Sequence, residues 1–227
     1  MDLLALALAP GLAIIIFIYW KDKFDKEPKQ LLAISFVLGA IAILPAIFFE
    51  RVLQNVPTFF PDFILSQFIN AIFCVGLVEE GCKYAMVILF LYPRKAFNEP
   101  FDGITYCVMV SMGFATIENI MYVDRGGMNT AIWRMFTAVP AHAVNGVMMG
   151  YYLGLKKFNP ANKSYGLKSL GFASALHGAY DFFLFINNTG GMAIGAILAL
   201  RFGINFSMKA IRLHQNASPF ISQNKKE

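Results

Sequence analysis

Six ionisable residues, Glu79, Glu80, Lys83, Glu118, His177 and Asp181, interrupt long apolar runs of this chain, and His142 lies in another such run. A charged group at bilayer depth costs about 2.5–3.5 kcal/mol even on the mildest insertion scale, so such residues face a polar cavity and mark a functional site. In Val78-Glu79-Glu80-Gly81-Cys82-Lys83, the lysine follows Glu79 by four residues and Glu80 by three. One ammonium can therefore neutralise a neighbouring carboxylate, which leaves the second carboxylate without a cation. His177 and Asp181 are four apart, a spacing that stacks imidazole and carboxylate on one helix face and lets the acid fix the tautomer of the base. His142 has no carboxylate near it in sequence. Glu118, followed by Asn119, lies toward one end of its run and on position alone is either a snorkelling side chain or a site member. Carboxylates and imidazoles around a wet cavity suit the activation of water: one carboxylate takes its proton while a His or a metal stabilises the oxyanion formed on an amide. Ser111 and Ser174 lack a nucleophile-elbow context, and burial of Cys82 raises its thiol pKa and disfavours it as a nucleophile.

Residues so placed need helices to hold them. Of 227 residues, 57% are hydrophobic and 15% charged, which excludes an ordinary soluble domain. Runs long enough to span a bilayer, roughly 20 residues each, fall at 3–20, 31–53, 64–91, 102–123, 131–155, 167–186 and 190–211. They predict an all-α, polytopic transmembrane bundle of about seven helices, one integral domain over 1–227. The runs are continuous rather than alternating, which argues against a transmembrane β-barrel. The first run carries Asp2 instead of a basic leader and ends at Tyr19, Trp20 and Lys21, so it reads as a retained helix. Cys74, Cys82 and Cys107 sit inside predicted helices with no C-x-x-C spacing and read as packing residues. Pro45 and Pro140 are candidate kinks, and Gly146, Gly150 and Gly154 form a small-residue stripe for close helix packing.

The net charge of +5 does not indicate nucleic acid, because the basic residues are sorted by connection rather than interleaved with aromatics. Lys21, Lys23, Lys26 and Lys29 follow the first run, Arg94 and Lys95 the third, and Lys156, Lys157, Lys163 and Lys168 the fifth. Lys209, Arg212, Lys225 and Lys226 follow the last. The intervening connections hold little: none between Gln54 and Asp62, Arg125 in the next, and none from Asn187 to Gly191. The positive-inside rule then places the N-terminus outside and the C-terminus in the cytosol. At about 1.5 Å per residue, Glu118, His142 and His177 fall in the outer half of the bilayer, with Glu79 and Glu80 nearer its middle.

These motifs resemble the PrsW family of intramembrane proteases, which is related to the type II CAAX prenyl endopeptidases. The matching elements are Glu79-Glu80-x-x-Lys83, Phe114-x-x-x-Glu118-Asn119, His142-Ala143 with its glycine-rich continuation, and His177-x-x-x-Asp181. Ala9-Pro10-Gly11, the stretch Lys21 to Pro28, and Phe101-Asp102-Gly103-Ile104 also match. The resemblance implies a multi-pass protease of the bacterial cell membrane. It implies cleavage of the extracytoplasmic part of a single-span substrate such as an anti-sigma factor, the site-1 cut of a stress response. By that resemblance Glu79 is the water-activating base, Glu80 its partner with Lys83, and Glu118, His142, His177 and Asp181 complete the site with support from Asn119. Glu118 and Lys83 replace a His and an Arg of the prenyl-endopeptidase pattern, which weakens any inference of a prenylated substrate. Two mechanisms fit. In one, Glu79 and Glu118 act as acid and base with no cofactor, and this version is preferred. In the other, Glu118, His142 and His177 hold Zn²⁺. A proton- or ion-coupled transporter using the same groups is the main rival, although no inverted repeat is visible. A non-catalytic membrane scaffold is a third reading.

Overall fold

The computed structural model describes residues 3–54, 62–186 and 192–222, and every regular element among them is helical. The helices are α1 (Leu3–Lys21), α2 (Lys29–Gln54), α3 (Phe63–Ile69), α4 (Leu77–Met86), α5 (Pro100–Phe136), α6 (Ala138–Phe158), α7 (Ser164–Phe185) and α8 (Met192–Asn216). A π-helical segment, Asn70–Gly76, joins α3 to α4; a second, Val87–Leu91, follows α4; and a 3₁₀ turn, Pro219–Ser222, closes the chain. Four helical stretches are long and apolar enough to cross a membrane: Leu3–Lys21, Lys29–Gln54, Pro100–Phe158 and Ile194–Asn216. The connections over 55–61 and 187–191, Asp2, Lys225 and Lys226 lie outside the described residues.

The bundle is built around α5, whose residues from Pro100 to Thr116 are all buried and which packs on α1, α2 and α6. A helix buried on every side belongs to a core. The outer helices present apolar side chains outward, among them Ile16 on α1, Leu44 on α2 and Phe202 on α8, each about two-thirds exposed at 66%, 67% and 66%. Faces of this kind are suited to lipid rather than water. Gly150 of the small-residue stripe lies backbone to backbone against Gly103 where α5 and α6 cross.

The start of α5 is fixed by chemistry legible in its sequence. Pro100 occupies the first turn, where no N–H is needed, and Glu99 and Asp102 form a reciprocal capping box. The α1–α2 connection folds onto it: Tyr106 donates its hydroxyl to Glu27, and Asn98 Nδ2 donates to Asp25 at 2.8 Å. Asp22 is fully buried beside them. Burial and the neighbouring Glu99 push its carboxyl up to about 7.

Three departures from the sequence reading bear on the site. First, the helix expected to end near residue 123 runs to a break at Gly127, whose φ of 65° suits glycine, and a second helical segment, ending at Phe136, carries Arg134 back toward Glu118. Second, α6 begins at Ala138, so Pro140 is its third residue and sits where the helix has no N–H partner to lose. It opens the helix instead of kinking it, whereas Pro45 lies inside α2. Third, the expected run 64–91 is not uniform α-helix but changes register twice through its π segments. At the first of these Gly76 faces α7: a Cβ there would come within 2.8 Å of Ser174 O and 3.0 Å of Gly178 N. The missing side chain allows the approach that brings His177 alongside α4.

Candidate active site

A cavity of about 980 Å³ opens between α2, α5, α6, α7 and the start of α8, at the end of the bundle where α2 finishes. Glu79, Glu118, His142, His177 and Asp181 line it, while Glu80, Lys83 and Asn119 stand behind its wall, each 0% exposed. All eight residues singled out by the sequence are therefore in or directly behind one cavity. They come from four helices.

The centre is Lys83. Its Nζ lies 3.1 Å from Glu79 Oε2, 2.8 Å from Glu80 Oε1, and 3.2 Å from His142 Nδ1, with the Phe114 ring centroid at 4.0 Å. The expectation that one carboxylate goes without a cation is corrected: the ammonium reaches both, because residues three and four apart flank the same turn. An ammonium has only hydrogens to offer, so His142 Nδ1 accepts and its Nε2–H donates to Glu118 Oε2 at 2.7 Å. The carboxylate missing from the sequence around His142 thus comes from 24 residues away on α5.

Glu118 is held a second time by Arg134 Nη2 at 2.9 Å, while Arg134 Nε donates to Asn119 Oδ1 at 2.8 Å and Asn119 Nδ2 donates to Ala7 O on α1 at 2.9 Å. The guanidinium lies 4.1 Å from the Tyr122 ring centroid. These contacts draw Glu118 into the site instead of letting it snorkel. His177 places Nδ1 2.9 Å from Glu80 Oε1, and Nε2 3.3 Å from Asp181 Oδ2 and 3.8 Å from Glu79 Oε2. Asp181 is accordingly one of three carboxylates around this imidazole, and the shortest contact belongs to Glu80. The two imidazoles meet edge to face at 5.3 Å.

A family model described as PrsW family intramembrane metalloprotease matches residues 27–207. A protease PrsW of Bacillus subtilis (strain 168) is 38% identical over 188 residues, 80% of this chain and 82% of that protein. The protease PrsW of Geobacillus kaustophilus (strain HTA426) is 34% identical over 198 residues, 87% and 86% of the two chains. That of Clostridioides difficile (strain 630) is 35% identical over 196 residues, 82% and 80%. The chain belongs to the PrsW family. It is a bacterial multi-pass membrane protein and a membrane peptidase. No solved structure matches it.

The family description implies a metal, and the donors of this PrsW-family chain can be tested against one. Glu79, Glu80, His142 and His177 each offer a ligand atom within 4.8 Å of the others, and Glu80 Oε2 is buried without a partner. Imidazole nitrogen and carboxylate oxygen are the donor types Zn²⁺ takes, so the group fits. This group differs from the expected triad of Glu118, His142 and His177: Glu79 and Glu80 converge with the two histidines, while Glu118 is engaged by Arg134 and His142.

Sequence reasoning missed Arg134, Glu50 and Asn145. Glu50 and Asn145 also line the cavity. The signal for Arg134 was a lone cation in Ala131-Ile132-Trp133-Arg134-Met135-Phe136, the same cost argument that found the others. Asn145 follows His142 by three residues and shares its helix face.

Proposed function

We propose that this protein is an intramembrane endopeptidase that hydrolyses a peptide bond in a membrane-anchored protein, and that its substrate is a single-span anti-sigma factor cut at site 1. The observation that carries this is the division of labour between adjacent glutamates: Glu79 lines the cavity while Glu80, fully buried, is held by Lys83 and His177. A carboxylate on water's side, backed by a fixed cation and an imidazole, has the arrangement of a general base. The basic connections support seven spans with the N-terminus outside, so the cavity, at the α1 N-terminal end, opens toward the extracytoplasmic side.

In this reading Glu79 takes the proton of a cavity water as the water oxygen attacks the scissile carbonyl carbon. Glu79 then returns the proton to the departing amine nitrogen. His177 Nε2, between Asp181 and Glu79, relays protons between them, and the Glu118–His142 pair, fixed by Arg134 and Lys83, holds the opposite wall. The metal-free glutamate reading is preferred because the Lys83 ammonium already lies within 3.2 Å of three of the four possible ligands. A metal bound by Glu79, Glu80, His142 and His177 would supply Lewis-acid polarisation of the carbonyl or of water.

Purified protein in lipid would be given a single-span substrate, with Glu79→Gln and His177→Ala in parallel. Cleavage by wild type with loss in both variants is expected. Undiminished cleavage by either variant would refute the role given to that residue, and no cleavage by wild type would favour transport. Stoichiometric Zn²⁺ lost together with activity on chelation would overturn the metal-free preference.

A further inference from the structure

Attack on a peptide carbonyl puts negative charge on its oxygen, and peptidases meet that charge with a pre-placed hydrogen-bond donor. Four buried residues lining the cavity can donate: His142, His177, Tyr180 and Asn145. His142 is occupied at both ring nitrogens, by Lys83 and Glu118. His177 has Glu80 on one nitrogen and Asp181 with Glu79 on the other. The Tyr180 hydroxyl has the Thr137 side chain as its polar neighbour. The cavity's guanidinium at Arg134 is taken by Glu118 and Asn119. Asn145 alone of the four has no polar side-chain partner among the described residues.

Its placement makes that lack informative. Asn145 is 2% exposed, and the small space beside it away from the cavity is lined mostly by apolar side chains, Ala141, Val144, Leu176 and Leu200, together with Tyr180. A primary amide left unpaired in such a place carries a desolvation cost, and buried amides are normally bonded. The amide is nevertheless not among the polar atoms sealed from solvent, so it opens onto the cavity. It stands one helical turn, about 4.5 Å along α6, beyond His142, within the same cavity as Glu79. A ligand that brings a hydrogen-bond acceptor into this cavity satisfies it.

We propose that Asn145 donates its side-chain N–H to the carbonyl oxygen of the scissile peptide, resting on the endopeptidase reading above. As the water oxygen bonds to the carbonyl carbon, the π electron pair moves onto the carbonyl oxygen and the water proton goes to Glu79. Asn145 holds that oxyanion. When it collapses, the C–N bond breaks and the proton on Glu79 passes to the amine.

The test is steady-state cleavage of a single-span substrate in lipid vesicles by wild type, Asn145→Ala, Asn145→Asp and Glu79→Gln, with thermal unfolding of each. Asn145→Ala is expected to lower kcat by roughly 10²–10³-fold with KM within about threefold, the split expected when an interaction made chiefly in the transition state is removed. Asn145→Asp is expected to fall at least as far, since a carboxylate has no proton to donate. Unfolding temperature is expected to hold in Asn145→Ala; should that variant fail to fold, Asn145→Leu, closer in volume, takes its place under the same criteria. A variant cleaving within about threefold of wild type, or a loss confined to KM, overturns the assignment. Wild type that cleaves nothing sinks the endopeptidase reading and this donor with it, whereas active wild type with an equally active Asn145→Ala sinks the donor alone.

Discussion

Lys83→Met is the most demanding test of the site's electrostatics. The ammonium is 0% exposed and touches Glu79, Glu80 and His142, which are 5%, 0% and 5% exposed. Methionine fills much the same space with an apolar chain, so packing against Phe114 survives and the charge alone is deleted. Glu79 and Glu80 are then adjacent buried carboxylates with His177 as their remaining ionisable partner among the described residues. Removing one member of a buried ion pair costs about 3–5 kcal/mol, because the other is left desolvated. For a chain of this size each kcal/mol moves the unfolding midpoint by about 2–4 °C, which gives a fall of roughly 6–20 °C. The assay is thermal unfolding in lipid nanodiscs of wild type, Lys83→Met, Glu80→Gln and the double variant. Neutralising Glu80 as well leaves one stranded carboxylate, Glu79, in place of two, so the double variant should recover part of the loss and show a coupling of about 0.5–3 kcal/mol. A Lys83→Met midpoint within about 2 °C of wild type, or strict additivity in the cycle, would refute the claim that this ammonium holds the two glutamates.

Arg134→Met should leave the fold intact and lower cleavage by roughly 10–100-fold, since Glu118 and Asn119 lose the guanidinium that fixes them; an unchanged kcat would show that Glu118 is positioned by His142 alone. Gly178→Val would drive a side chain into Ile72, whose Cα and Cδ1 lie 2.6 Å from a Cβ built there. It should destabilise by about 1–3 kcal/mol and displace His177, read as a lower midpoint together with lost cleavage. For pH, Asp22 has a carboxyl raised from 3.8 to about 7, first by burial and then by Glu99. The folded protein therefore keeps a proton there that the unfolded chain has released, so this group's contribution falls as pH rises from about 4 to 7 and is level above that. The unfolding midpoint of Asp22→Asn, compared with wild type across that range, should lack this component of the decline; an identical slope in both would remove Asp22 as its source.

What the sequence disclosed divides along a physical line. Contacts within one helix follow from 3.6 residues per turn, so Glu79, Glu80 and Lys83 could be joined on paper, and His177 with Asp181 likewise. Contacts between helices depend on how each helix is rotated about its axis, and composition is silent on that. Hence His142 lacked its carboxylate until α5 and α6 were packed, and Glu118 could not be separated from a snorkelling residue until Arg134 was seen to fold back past Gly127. The rotation of α4 was the least accessible quantity of all. Each residue of an α-helix turns it by about 100°, and a π segment inserts residues without adding matching turns. Asn70–Gly76 is apolar apart from its first residue and carries no marker of that change. Yet it precedes Glu79 by three residues, and it decides which of two adjacent glutamates faces the cavity and which faces Lys83 and His177 from behind. A reading that extended an unbroken α-helix from Phe63 would have had the right residues at the right depth and no means of telling base from partner. The π segment, with Gly76 and Gly178 permitting α7 to close on it, is therefore as much a determinant of the site as the glutamates it orients.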